Sequence, residues 1–143
     1  MVHHVAKEVY EPVIVATQFD QTTGDLEVWA VSDLWDSVSG HATITWYDWT
    51  RKVLLISKSN VNVRAVNATR ALERNVRGLG LNLSNVIAKC SIEAQRTASD
   101  SKAVCSTKIK HETWFHPEPL AKQTLMDPQL SLRYDHDSST FVC

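Results

Sequence analysis

Apolar and polar positions alternate along most of the chain, the two-residue period of strands that bury one face. Leu26, Val28 and Ala30 fall on one side of a stretch whose other side carries Glu27, Trp29 and Val31. Val13-Ile14-Val15 predicts an earlier strand, with Thr23-Gly24 as the turn between the two. After Gly40, residues 41–49 (HATITWYDW) form a β-branched and aromatic run that predicts a strand. Residues 53–56 and 60–66 predict two more. Residues 67–77 read as a turn or short helix, because Ala71-Leu72-Glu73-Arg74 is helix-compatible. Two long strands, 84–97 and 102–114, are joined by Ala98-Ser99-Asp100-Ser101, a hairpin-turn composition.

Short strands at intervals of about ten residues, with an aromatic strand near the middle, predict an all-β fold: an immunoglobulin-like antiparallel β-sandwich. A closed barrel is the main alternative. Trp46 is then the core tryptophan of the sandwich. Past Trp114 the pattern breaks. Pro117, Pro119 and Pro128 interrupt any ladder, and residues 130–134 and 140–143 then read as two strands around a polar turn. A lone hairpin is marginal in water, so these residues read as the first strands of a further β domain. The expected organisation is an incoming connection over 1–9, the sandwich over 10–115, and a linker with the start of a C-terminal β domain over 116–143.

Composition narrows the class. Hydrophobic residues at 43% and charged residues at 22% are globular proportions and argue against disorder. A net charge of -1 gives no electrostatic reason to expect nucleic acid or an anionic membrane as partner. No apolar run approaches the ~20 residues of a membrane helix, and MVHHVAKEVY lacks the apolar region of a signal peptide. The sequons at Asn67 and Asn82 are candidate glycosylation sites and lean towards a secretory history. An internal piece of a longer secreted protein reconciles these two observations.

Cys90, Cys105 and Cys143 match no zinc spacing. His3-His4 and His111 with His116 are the conceivable histidine ligands, but His111 and His116, five apart with Pro117 next, suit no standard helical zinc pair. No metal or cofactor is expected. If the hairpin turn centres near Ser99, Cys90 and Cys105 lie close to opposite one another, either as a disulfide or as two buried small side chains.

A family resemblance runs through the chain in order. The segment His4-Val5-Ala6-Lys7-Glu8-Val9-Tyr10-Glu11-Pro12-Val13 resembles the exit from the catalytic barrel in β-mannosidases of the glycoside hydrolase family that includes β-galactosidases. Residues 23–33 resemble the second strand of the immunoglobulin-like domain next in those enzymes. Trp46-Tyr47-Asp48-Trp49 is similar to a run in the fungal secreted members. His111-Glu112-Thr113-Trp114-Phe115, Pro119-Leu120 and Asp127-Pro128 resemble the crossing into the last domain. The resemblance implies a domain of a secreted enzyme that hydrolyses terminal β-mannosyl residues. Such retaining enzymes use two glutamates with carboxyl groups about 5–5.5 Å apart. No Asn-Glu dipeptide of the acid/base motif occurs here, so the resemblance carries over architecture and no catalytic residue.

The expected role is therefore mechanical: to brace the catalytic domain and position the last one, with adjoining domains as partners. The rival is a carbohydrate-binding module with its own affinity for mannan-type glycans. Trp29, Tyr47 and Trp49 point outward if Leu26 and Trp46 point inward, and exposed aromatics on adjacent strands would mark an interface or a glycan-stacking platform. Asp33, Asp36 and Asp48, near Trp35 and Trp49, are weighed as a sugar site, but Asx-turns at Asp33 and Asp36 are the simpler reading.

Overall fold

A computed structural model of the chain describes residues 11–97, 108–125, 133–135 and 140–142. Seven strands build two sheets: β1 (Val13–Asp20), β2 (Asp25–Ser32), β3 (Val38–Asp48), β4 (Val53–Val63), β5 (Asn67–Asn75), β6 (Val86–Arg96) and β7 (Lys108–Phe115). One sheet has the order β1-β2-β5 and the other β4-β3-β6-β7, all neighbours antiparallel. A separate pair, β8 (Arg133–Asp135) and β9 (Thr140–Val142), forms a two-stranded sheet. No α-helix occurs among the described residues, only 3-10 turns. The immunoglobulin-like β-sandwich expected from the alternation is the observed fold.

The core lies between the sheets and obeys the period of two. Leu26, Val28 and Ala30 of β2 meet Ala42, Ile44 and Trp46 of β3 and Ala88, Cys90 and Ile92 of β6, all fully buried. Burying each large apolar side chain contributes about 1.5–3 kcal/mol. Trp46 packs edge-on against Phe115, whose ring in turn meets Phe19 at 5.2 Å between centroids. This aromatic stack closes one end of the sandwich.

Two predicted elements are corrected. Residues 53–63 form one continuous strand, because Ser57 and Asn60 sit within the β3 ladder opposite Ile44 and His41 and do not break it. Residues 67–75 form β5, neither turn nor helix. The helix propensity of Ala71-Leu72-Glu73-Arg74 yields to pairing with β2, where Leu72 sits opposite Val28 and supplies the strand's buried side chain. β5 is an edge strand with mostly exposed side chains, so its sequence carries little alternation.

The ladder geometry gives the sandwich two distinct ends. The first described residues lead into β1 beside the end of β2 and the start of β3. β7 ends at Phe115, opposite Ala88 and therefore at the other end. The chain thus enters at one end and leaves at the opposite one. An eleven-residue strand such as β3 spans about 35 Å.

Candidate functional site

The outer face of the four-stranded sheet is a grid of lateral rows, each with one side chain from β4, β3, β6 and β7 in turn. At the exit end the row is Ile56, Thr45, Lys89 and Trp114. Next come Lys58, Thr43, Ser91 and Glu112, then Asn60, His41, Glu93 and Lys110. The last row, at the entry end, is Asn62, Ser39, Gln95 and Lys108. The face therefore passes from apolar to wholly polar along the strands.

At the apolar end Ile56 is 60% exposed and Trp114 51%, with Val53 and Leu54 on the neighbouring stretch of β4 also exposed. Tyr47 lies 6.0 Å from Trp114 between ring centroids, and the Lys89 ammonium sits 5.7 Å from the indole centroid. Lys89 also pairs with Glu112 at 2.6 Å, which holds the cation beside the ring. Trp49, just past β3, stacks on His116 at 6.2 Å and 17°.

The three predicted aromatics do not form one platform. β2 and β3 are consecutive in the chain but belong to different sheets, so Trp29 lies on the far side of the sandwich from Tyr47 and Trp49. Trp29 is half-buried, its indole N–H donating to Glu27 Oε2 at 3.0 Å, beside the Arg70–Glu27 ion pair. That pairing holds the Glu27 carboxyl below its usual range, chiefly through Arg70 and then Trp29. Trp114 is the aromatic that sequence reasoning did not single out. Its parity with Lys110 and Glu112 on β7 is the signal that marks it as outward-facing.

The acidic set divides as well. Asp48 closes the β3–β4 turn: one carboxylate oxygen accepts from the Thr50 hydroxyl, the Thr50 N–H and the Lys52 N–H. These bonds, the Thr50 hydroxyl first, lower its pKa. Asp33 and Asp36 lie at the opposite end, flanking Trp35, and the structure shows neither closing an Asx-turn. That loop is pinned instead by backbone bonds, Asp33 N–H to Pro12 O, Leu34 O from Val66 N–H and Ser37 O from Thr97 N–H, and by Ser32 Oγ, which accepts from Leu34 N–H. Trp35 stands 88% exposed between them.

Asn67 and Asn82 are both exposed. The Asn82 carboxamide oxygen accepts from the Ser84 hydroxyl of its own sequon at 2.7 Å. Cys90 is a buried free thiol whose pKa burial pushes up to about 12. Its ladder partner is Thr113. The described β6–β7 register runs several residues out of step with a hairpin turn centred at Ser99. Cys105 itself lies outside the described residues, as do His3 and His4. His111 accepts the Val15 N–H on Nδ1 at 3.1 Å and so ties β7 to β1 across the open side of the sandwich. No cluster of three metal-ligating side chains occurs among the described residues.

The sandwich and its grid agree with a family model for the mannosidase Ig/CBM-like domain, which matches residues 24–111. The chain belongs to that family. β-Mannosidase A of Aspergillus clavatus is 33% identical over 148 residues, covering 99% of this chain and 16% of the relative. β-Mannosidase A of Aspergillus oryzae is 33% identical over 149 residues with the same coverages. A solved β-glucuronidase from Parabacteroides merdae superposes on 74% of this chain and 13% of its own, at 11% identity and a TM-score of 0.40. The chain thus spans about a sixth of the length of the curated relatives it matches. None of the described helices is long and apolar enough to cross a membrane.

Proposed function

We propose that the chain is the bracing domain of a secreted β-mannosidase, a retaining hydrolase of terminal β-mannosyl residues whose catalytic glutamates lie elsewhere in the parent. The observation that carries this reading is the exposed apolar end of the four-stranded sheet, where Tyr47 pairs with Val53 on one side and meets Trp114 on the other, beside the exposed Leu54 and Ile56, a larger patch than an ordinary solvated face carries. Covering it with an adjoining domain removes that surface from water. Entry and exit at opposite ends add the geometry of a spacer, holding the two flanking domains about 35 Å apart. The reading includes the division at 1–9, 10–115 and 116–143, with β8 and β9 opening the C-terminal domain, and glycans on Asn67 and Asn82, both of which face solvent. Trp29, on the opposite sheet, takes no part in the docking face.

The test places Ile56→Lys and Trp114→Glu together in the full-length parent and in the isolated chain. The isolated chain should melt within a few degrees of the wild type, because both side chains are more than half exposed. The parent should lose thermal stability and β-mannoside hydrolysis at elevated temperature. A parent that melts and turns over like the wild type would remove the bracing role. The isolated chain should release no nitrophenol from a nitrophenyl β-mannoside.

A further inference from the structure

The polar end of the same sheet face is concave. Its two outermost rows line a groove of about 890 Å³ whose floor is the backbone around Gly40, Ala94 and Ile109. Gly40 is required there, since a Cβ on it would fall 2.0 Å from the Glu93 carbonyl oxygen. At this one position, which shares the core-facing parity of Val38 and Ala42, β3 and β6 approach too closely for a side chain.

The outward side chains of the two rows carry hydrogen-bonding groups of every kind, and Val61, Ala94 and Ile109 line the groove between them. His41 and Asn60 are joined at 2.8 Å, which orients both towards the row. Glu93 meets Lys110 only at 3.8 Å, a loose pair that leaves carboxylate oxygens and ammonium hydrogens available. The side chains of Asn62 and Gln95 make no hydrogen bond among the described residues, so each offers a carbonyl acceptor and an amide donor. Such a mixture matches vicinal hydroxyls, which donate and accept at once. It does not match a polyanion, since Glu93 on β6 lies directly opposite Lys110 of β7 and sets a carboxylate among the lysines. Trp35, 88% exposed, lies on the loop that enters β3 at this same end. An indole there has the flat apolar face on which a pyranose ring stacks. Four strands about 4.8 Å apart make each row about 14 Å long, room for a short run of sugar rings.

We propose that this groove is a saccharide-binding site that takes a neutral oligosaccharide chain laid across the strands, with Asn60, Asn62, Glu93 and Gln95 as the hydroxyl-binding groups and Trp35 as the flanking stacking surface. The site is separate from the apolar docking face, and it stands whether or not that face docks.

The test uses the full 143-residue chain and β-1,4-linked mannopentaose, monitored by two-dimensional NMR, with oligogalacturonate of equal length as the charged comparison. Saturable shifts should appear in the groove residues, and the combined variant Trp35→Ala, Asn62→Ala, Gln95→Ala should weaken binding at least tenfold. All three positions face solvent, and an unchanged melting temperature will show that the variant is folded. Trp114→Ala, at the other end, should bind like the wild type. The proposal is overturned by absence of saturable shifts at millimolar ligand, by wild-type affinity in the triple variant, by loss of binding in Trp114→Ala, or by tighter binding of the oligogalacturonate.

Discussion

Tyr47 and Trp114 meet diagonally across β6 on the outer face of the four-stranded sheet, their ring centroids 6.0 Å apart and tilted by 48°. Neither ring belongs to the core. Each lies outward of a core aromatic neighbour, Trp46 and Phe115, which pack edge-on inside. The ends of β3 and β7 are therefore clamped twice, once on each face. Aromatic pairs of this geometry contribute about 0.5–1.5 kcal/mol beyond area burial. A double-mutant cycle with Tyr47→Ala and Trp114→Ala should return a coupling of about 0.5–1 kcal/mol in chemical denaturation of the isolated chain. Strict additivity would mean that the rings merely share a neighbourhood.

Val66 occupies the left-handed region at φ 47, between β4 and β5, where its N–H donates to Leu34 O. A β-branched side chain in that region costs roughly 1–2 kcal/mol. The side chain is half exposed, so little packing is lost on removing it. Val66→Gly should raise stability by about 1 kcal/mol, offset in part by greater freedom of the unfolded chain. Val66→Asn should do so with less of that offset. A fall in denaturation midpoint for both variants would show that the turn holds Val66 in another conformation.

How far the sequence reached is clearest at β2 and β5, which pair with each other. Leu26, Val28 and Ala30 alternate so cleanly that strand and inward face are both evident, and the structure buries all three. Residues 67–75 lie on an edge, where only the β2 side demands anything, and a helix-forming composition is tolerated. Partner choice was illegible for the same reason that alternation was legible. Periodicity fixes which side of a strand is buried, not which sheet it joins, and so it could not show that Trp29 and Tyr47 face opposite ways. Trp114 was accessible to parity alone. The polar rows were not, since His41 and Glu93 become neighbours only through the pairing of strands distant in sequence.

Acid should loosen the β3–β4 turn. The Asp48 carboxylate accepts three hydrogen bonds, and its pKa lies below the ordinary value of 3.8, the Thr50 hydroxyl bond being the largest cause. A carboxyl whose folded pKa is depressed stabilises the fold fully above its unfolded pKa and loses that contribution as pH falls through the folded value. Wild type should therefore melt above Asp48→Ala at pH 7, and the gap should narrow progressively once the pH drops below about 4. Asp20 and Glu27, depressed in the same direction by Thr22 and Arg70, will steepen the wild-type acid limb without closing that gap. A gap independent of pH would mean that the turn depends on the shape of Asp48 and not on its charge.

Cys90 should behave as a core side chain and not as a redox centre. It is fully buried on β6, opposite Ile44 of β3, and its ladder partner on β7 is Thr113. Removal from water penalises the thiolate and pushes the pKa up to about 12, so almost none of the reactive form exists at neutral pH. Native protein at pH 8 should resist iodoacetamide at Cys90 for hours, and protein unfolded in guanidinium should be modified within minutes. A disulfide to Cys105 would have to place the second sulfur inside the packed space between the sheets, within about 7 Å Cα to Cα of Cys90. Non-reducing peptide mapping should accordingly return Cys90 as a free thiol. A peptide pair linked through Cys90 and Cys105, about 2 Da lighter than the sum of its reduced parts because each S–S bond replaces two S–H bonds, would show that the hairpin closes onto the core.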